Sequence, residues 1–300
     1  MAWNSSMVLD ALRSSDLLEI GILANQIRRN LHPENVVTYE LRGMATSLEQ
    51  ASREAASRGG SVDLSQIRDA ERIPLDALQT SLLALHTQPD QVTFHHLPIS
   101  CLPAVDGSAL AETLRRLHQA GLRSLSATFH TAETAAALTT RLAGLLRAAP
   151  ECDLLVSISM TIGNSESLEQ RVKALAMLRA FQEESNAIQA ILLRVYHAAT
   201  PEARREEEAT AVDYLKTLAA TRLFLDNIEH LQTDWSVMGP KVLELALRFG
   251  ADDAGSVPWS QAGNPEPSHH GGESELRRII RDAGFRPVER DALFRQSLLR

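Results

Sequence analysis

The chain has 300 residues, 44% of them hydrophobic, which suffices for a large apolar core and suits a single α/β barrel. A formal charge of −8 argues against nucleic acid or an anionic membrane as the main partner. The start MAWNSSMVLD has no basic-then-apolar leader pattern, no stretch approaches a membrane span, and the two distant cysteines, Cys101 and Cys152, suggest neither a disulfide framework nor a zinc site, so a cytoplasmic protein is expected.

In chain order, residues 10–31 place Leu17, Ile20, Leu23, Ala24 and Ile27 at helical spacing, and Pro33 ends that helix. The β-branched and aromatic run VVTYEL (36–41) predicts a strand. A helix over 47–58 leads through Gly59-Gly60 to a short strand, SVDLS (61–65), and one over 74–87 leads to QVTFHHL (91–97). The alternation continues with a helix at 108–120 before RSLSATF (123–129), and one at 131–148 before DLLVSISM (153–160). A helix at 167–184, opened by the capping-box pair Ser167 and Gln170, precedes AIQAILLRVY (187–196). A helix over 206–228, with Glu206, Glu207 and Glu208 in its first turn, precedes HLQTDWSV (230–237). Repeated βα units without a GxGxxG turn predict a TIM-like (β/α) barrel, partial or compact. The expected organisation is an N-terminal helical segment (1–35), the barrel (36–250) and a C-terminal helical extension (251–300) with a flexible loop at 258–274.

HPENVVTY (32–39), SLEQRVKALAMLRAFQEES (167–185), RVYH (194–197), DYLKTLAATRLFLDNIEHLQTDW (213–235), MGPKVLELALRFGADD (238–253) and RRIIRDAGFRPVERDALF (277–294) occur in co-linear order. Together they resemble the radical S-adenosylmethionine (SAM) group of menaquinone biosynthesis. That group contains aminofutalosine synthase, cyclic dehypoxanthine futalosine synthase and a deazaflavin-precursor synthase. The resemblance implies a barrel that holds an iron–sulfur cluster and SAM on a CxxxCxxC loop after the first strand.

That loop is missing. Glu40-Leu41-Arg42-Gly43 passes within a few residues into the helix SLEQASREAASRGG (47–60), as if the loop were deleted as a block. A [4Fe–4S] cluster is held by clustered thiolates, which two remote cysteines do not supply. Where the family carries a Gly-Gly pair and a Glu after the next strands, this chain has VDLSQI (62–67) and LPISCL (97–102), and the family's glycine-rich stretch before a Glu-Ile is LSATFHTAE (125–133) here. The family's acidic run after GADD is VPWSQAG (257–263) here. No bound cofactor is therefore expected.

Barrel sites gather at the C-terminal ends of strands. That rule nominates Asp63, His95, His130, Thr161, Tyr196, His197 and Trp235 as ligand-binding candidates, with Tyr39 and Glu40, His96, Phe129, Met160 and Asp234 beside them. Histidines from separate strands with a carboxylate such as Asp63 are one route to a metal site, but no local HxxxH spacing supports it, and solvated or hydrogen-bonded rim histidines are the simpler reading. Tyr196 and His197 match the family's YH, and the resemblance implies a polar wall facing substrate there, with any ligand near His197. Gly239-Pro240-Lys241 matches the family's GPK; Pro240 suits a helix's first turn, and Lys241 is a candidate for a ligand carboxylate. Three functions follow as expectations. The first is a non-catalytic binding or partner protein, associated with an authentic radical SAM paralogue or a nucleoside-like small molecule. The second is an enzyme with acid/base chemistry on a futalosine-like nucleoside or aromatic carboxylate. The third is the family reaction with a cluster supplied in trans.

Overall fold

The computed structural model describes residues 3–42, 47–56, 61–67, 72–87, 92–103, 107–133, 135–163, 166–198, 200, 208–258 and 272–296. The N-terminal segment expected as one helix forms two, α1 (Ser5–Arg13) and α2 (Leu17–Leu31). The cap-favouring run Ser14-Ser15-Asp16 divides them: the Asp16 carboxylate accepts the Glu19 N–H at 2.9 Å and so starts α2. Then follow β1 (Val36–Arg42), α3 (Leu48–Ala56), β2 (Ser61–Asp63), α4 (Leu75–His86), β3 (Thr93–His95), β4 (Leu97–Pro98), α5 (Gly107–Gln119) and β5 (Ser124–His130). The chain continues through α6 (Ala135–Ala148), β6 (Leu155–Ile162), α7 (Leu168–Ser185), β7 (Ile188–Val195), α8 (Ala211–Phe224) and β8 (His230–Thr233). It ends with α9 (Trp235–Met238), α10 (Pro240–Arg248), β9 (Asp253–Pro258), α11 (Glu273–Asp282) and β10 (Arg286–Glu289).

All of these strands pair in parallel. One eight-stranded sheet has the order β10-β1-β9-β8-β7-β6-β5-β4, and β2 and β3 form a separate pair. From β4 to β9 each new strand adds on the same side of its predecessor. Right-handed crossovers in one direction put every connecting helix on one face of the sheet, and the other face turns inward as a lumen. The curl brings β9 back beside β1, with Thr38 opposite Asp253 and Glu40 opposite Ser256. The β2–β3 pair joins the main sheet through a parallel bridge between Phe94 and Leu122.

Three local expectations change. The segment 251–300 supplies two strands, β9 and β10, one on each side of β1, as well as the helix α11. Helix α8 begins at Ala211, where Thr210 and Asp213 form a capping box, and Glu208 lies before it accepting the Ala198 N–H at 3.0 Å. Strand β8 stops at Thr233, because residues 235–238 turn into α9. Glu206, Glu207 and residues 259–271 of the expected loop lie outside the described residues. The capping box at Ser167 and Gln170 forms as expected.

The N-terminal end of the barrel rests on Asp252. This carboxylate accepts from Arg222 Nη2 at 2.5 Å and from the Leu231 N–H at 2.7 Å, and it lies 2.7 Å from His230 Nδ1 and 3.3 Å from His32 Nε2. Burial works to raise its pKa, but His230, Arg222 and His32 overcome that and hold the carboxyl far below the usual carboxylate range. Arg222 is 1% exposed and also donates to the carbonyls of Gly250, Ile228 and Glu229. Gly250 has φ +107°, and a Cβ there would lie 2.8 Å from Arg222 Cβ, so the backbone can pass only as glycine. Asp252→Ala leaves the buried Arg222 cation without its counter-charge. It is expected to cost about 3–5 kcal/mol in equilibrium urea unfolding; a loss below about 1 kcal/mol would contradict this assignment.

Candidate functional site: the lumen and the β2–β3 mouth

Alternation along the strands gives the sheet two chemically distinct faces. The outward set is Leu125, Ala127 and Phe129 of β5; Val156, Ile158, Met160 and Ile162 of β6; and Ile191, Leu193 and Val195 of β7, all buried in the common core. Tyr214 of α8 marks this as the helix side, since its hydroxyl lies 2.7 Å from Thr233 Oγ1 and donates to the Leu193 carbonyl. The inward set is polar. Register aligns it in rows: Ser126–Ser157–Ala190–His230, Thr128–Ser159–Leu192–Gln232, and His130–Thr161–Arg194. Thr128 and Arg194 are exposed, and Ser126, Ser157, Ser159, Leu192 and Gln232 are half-buried, although they sit on central strands. Barrel interiors are ordinarily filled by branched apolar side chains. Hydroxyl-bearing residues that keep solvent contact instead describe an open, polar lumen.

The remaining wall carries charge. On β1, Tyr39 faces α11, donating to Glu273 Oε1 at 2.6 Å, so Thr38 and Glu40 face inward. Thr38 Oγ1 donates to Asp253 Oδ2 at 2.6 Å. Arg290, 3% exposed, binds both oxygens of Asp253, lies 3.5 Å from Glu40 Oε2, and stacks on the Phe294 ring at 3.8 Å. Phe294 in turn stacks on His230. The C-terminal segment thus reaches the lumen wall.

The residues nominated from sequence divide into groups. His130, Thr161 and Tyr196 come together at the strand ends: His130 and Thr161 are register partners, and the His130 ring meets the Tyr196 ring edge-on at 5.4 Å. Among the described residues, buried His130 Nδ1 and Ser157 Oγ have no hydrogen-bond partner. Water or a polar ligand can satisfy such atoms. His197 does not join them; its side chain is 58% exposed, with Nδ1 3.3 Å from Glu208. Trp235 is buried and donates to the Ser256 carbonyl at 3.4 Å, which ties α9 to β9. Lys241 is exposed in the first turn of the outer helix α10.

Asp63 and His95 are register partners, yet Asp63 binds the next residue instead. His96 has φ +54°, a left-handed conformation uncommon outside glycine that costs on the order of 1–3 kcal/mol. Two serines of β5 hold it there: Ser124 Oγ accepts the His96 N–H at 3.0 Å, and Ser126 Oγ donates to the His96 carbonyl at 2.9 Å. The bend sends Nδ1 of His96 to Asp63 Oδ2 at 3.1 Å. His95 stays buried, with Nε2 3.2 Å from Thr93 Oγ1 and Nδ1 unpartnered among the described residues. Burial, helped by His96, lowers the His95 pKa to about 4.

Among the described residues, His32, His230 and Asp252 have ligand atoms within 4.8 Å of one another. Their geometry is already used. Asp252 is engaged by Arg222 and the Leu231 N–H, His32 Nε2 is 3.0 Å from the Glu229 carbonyl, and His230 lies between the rings of His32 and Phe294. Adding a divalent cation beside buried Arg222 would place like charges together. The cluster explains itself as the barrel's foundation.

The fold is a parallel (β/α) barrel with a polar inward face. Its fold is shared with methylornithine synthase, at a TM-score of 0.70 and 13% identity, covering 96% of this chain and 94% of that one. Residues 199–298 match the family model for the CofH/MqnC C-terminal region. Cyclic dehypoxanthine futalosine synthase of Halalkalibacterium halodurans is 30% identical over 197 residues, 62% of this chain and 53% of that protein. The enzyme of the same name from Streptomyces coelicolor is 25% identical over 331 residues, 94% of this chain and 82% of that protein. The chain is a homologue of the futalosine-pathway radical SAM enzymes. It matches only about half the length of the Halalkalibacterium relative.

The His95 shift gives a pH prediction. The unfolded chain protonates this residue near its ordinary value of 6.5, while the folded chain resists until about 4. Between those values the unfolded state binds more protons, so stability falls as pH falls. Comparing native protein with His95→Leu in urea titrations, the native chain is expected to lose about 3 kcal/mol more between pH 7 and 4. Parallel pH curves for the two would contradict it.

Proposed function

We propose that this homologue binds a small polar molecule in the barrel lumen without holding the radical SAM cluster itself, and serves menaquinone biosynthesis as a binding or partner protein. The carrying observation is the set of thiols. The connection between β1 and α3, residues 43–47, contains no cysteine. Cys152 is buried just before β6, at the N-terminal end of the barrel, with Sγ 3.5 Å from the Ala111 carbonyl. Cys101 follows β4 at the opposite end. Three thiolates on one loop are what an open-site [4Fe–4S] cluster needs, and these two do not fit it.

The lumen supports retained binding. Its hydroxyl rows and the orphaned atoms of His130 and Ser157 suit a neutral, hydrogen-bonding ligand such as a futalosine-like nucleoside, and exposed Arg194, whose Nε lies 3.3 Å from Asp234, can exchange that partner for an aromatic carboxylate. A cysteine-complete paralogue is the proposed protein partner. Acid/base chemistry is the second reading, favoured by the Asp63–His96 contact.

Isothermal titration with a futalosine-type nucleoside and with SAM tests the main reading. The nucleoside is expected to bind, and Ser159→Leu, which fills the central lumen row, is expected to weaken it at least about 10-fold, the order of one lost buried hydrogen-bonding contact plus a clash. Nucleoside affinity unchanged in Ser159→Leu, or tight binding of SAM alone, would overturn it.

A further inference from the structure

The mouth beside β2 and β3 contains a constellation that ligand binding does not require. Asp63 Oδ1 accepts both the Ser65 N–H at 2.9 Å and the Ser65 hydroxyl at 2.6 Å, leaving Oδ2 for His96 Nδ1. Asp63 and His96 side chains are each 8% exposed. Both peptide groups of the left-handed His96 are fixed by Ser124 and Ser126. Among the described residues Nε2 of His96 makes no hydrogen bond. A carboxylate on Nδ1 keeps the neutral ring's proton there and turns Nε2 into an acceptor, the arrangement of an oriented base. A strained backbone held by several independent bonds belongs where a side chain's direction matters. The adjacent His95 ring, 6.4 Å away and edge-on, has its own unpartnered Nδ1.

We propose that His96, held by Asp63 as its positioning residue, is a general base that takes the O–H proton of a small hydroxyl-bearing molecule, or of water bound in its place, at the β2–β3 mouth. The identity of its natural substrate rests on the lumen-binding reading; the base itself does not. The O–H proton passes to Nε2, the oxygen adds to an electrophilic carbon, and the proton leaves with the displaced group or to solvent. No oxidant or reductant is needed.

Two measurements on the full chain test this. Long-range ¹H–¹⁵N correlation on protein labelled in histidine is expected to show neutral His96 protonated on Nδ1, and Asp63→Asn is expected to shift it towards the common Nε2–H form. Hydrolysis of 4-nitrophenyl acetate, in which activated water displaces nitrophenolate, is expected to fall about 10²-fold in His96→Asn and by a smaller factor in Asp63→Asn, the range typical of a lost general base. The tautomer readout needs no variant, so a His96→Asn chain that fails to fold leaves a decisive result. Native His96 protonated on Nε2, or His96→Asn hydrolysing the ester at the native rate, would overturn the proposal. Because the ester probe needs no lumen ligand, its outcome is separate from that of the nucleoside titration.

Discussion

Strand alternation is the constraint on which this molecule depends. Each central strand places an aliphatic set against the helices and a hydroxyl-bearing set towards the lumen, so one hydrogen-bonded sheet supplies both core and site. The aliphatic face carries the stabilisation, leaving Ser126, Thr128, Ser157 and Ser159 with little packing work. A barrel whose inward face is polar must either take water or bind something. Among the described residues, His130 Nδ1 and Ser157 Oγ at that face have hydrogen-bonding capacity left over.

The two ends of the barrel use histidine in opposite ways. At the N-terminal end, His32 and His230 sit against Asp252, which also meets Arg222, and the charges compensate one another in a closed cluster. At the C-terminal end, His95 and His96 are adjacent in sequence and differ in fate. His95 is buried, with its charged form disfavoured, while His96 is turned by a left-handed bend onto Asp63. The same residue type is held in a closed ionic cluster at one end and oriented by a single carboxylate at the other.

Much of the fold was legible in the sequence because helices and strands alternate with clear periodicity, and capping pairs such as Ser167 and Gln170 mark their boundaries. Two strands escaped. DAGSVP and RPVE hold Gly, Pro and charge instead of a β-branched run, and pairing on both sides of β1 makes them strands. The split between α1 and α2 was hidden because the apolar positions of α2 already read as one helical face; only the run of three capping residues betrays it. At the strand ends, His130, Thr161 and Tyr196 lie together, as their positions after successive strands suggest. What sequence could not give was direction. Nothing in FHHLP shows that His96 adopts a positive φ, and the arrangement of Arg290, Asp253 and Glu40 joins residues more than 200 positions apart.

The proposed function pairs binding in the lumen with a chain that holds no cluster of its own, and the second property can be measured directly. Anaerobic reconstitution of the purified chain with iron, sulfide, SAM and a strong reductant, followed by iron–sulfide quantification and chromatography for 5′-deoxyadenosine, tests it most directly. The account predicts substoichiometric iron, no cluster absorbance and no 5′-deoxyadenosine. A stoichiometric cluster accompanied by 5′-deoxyadenosine would contradict it.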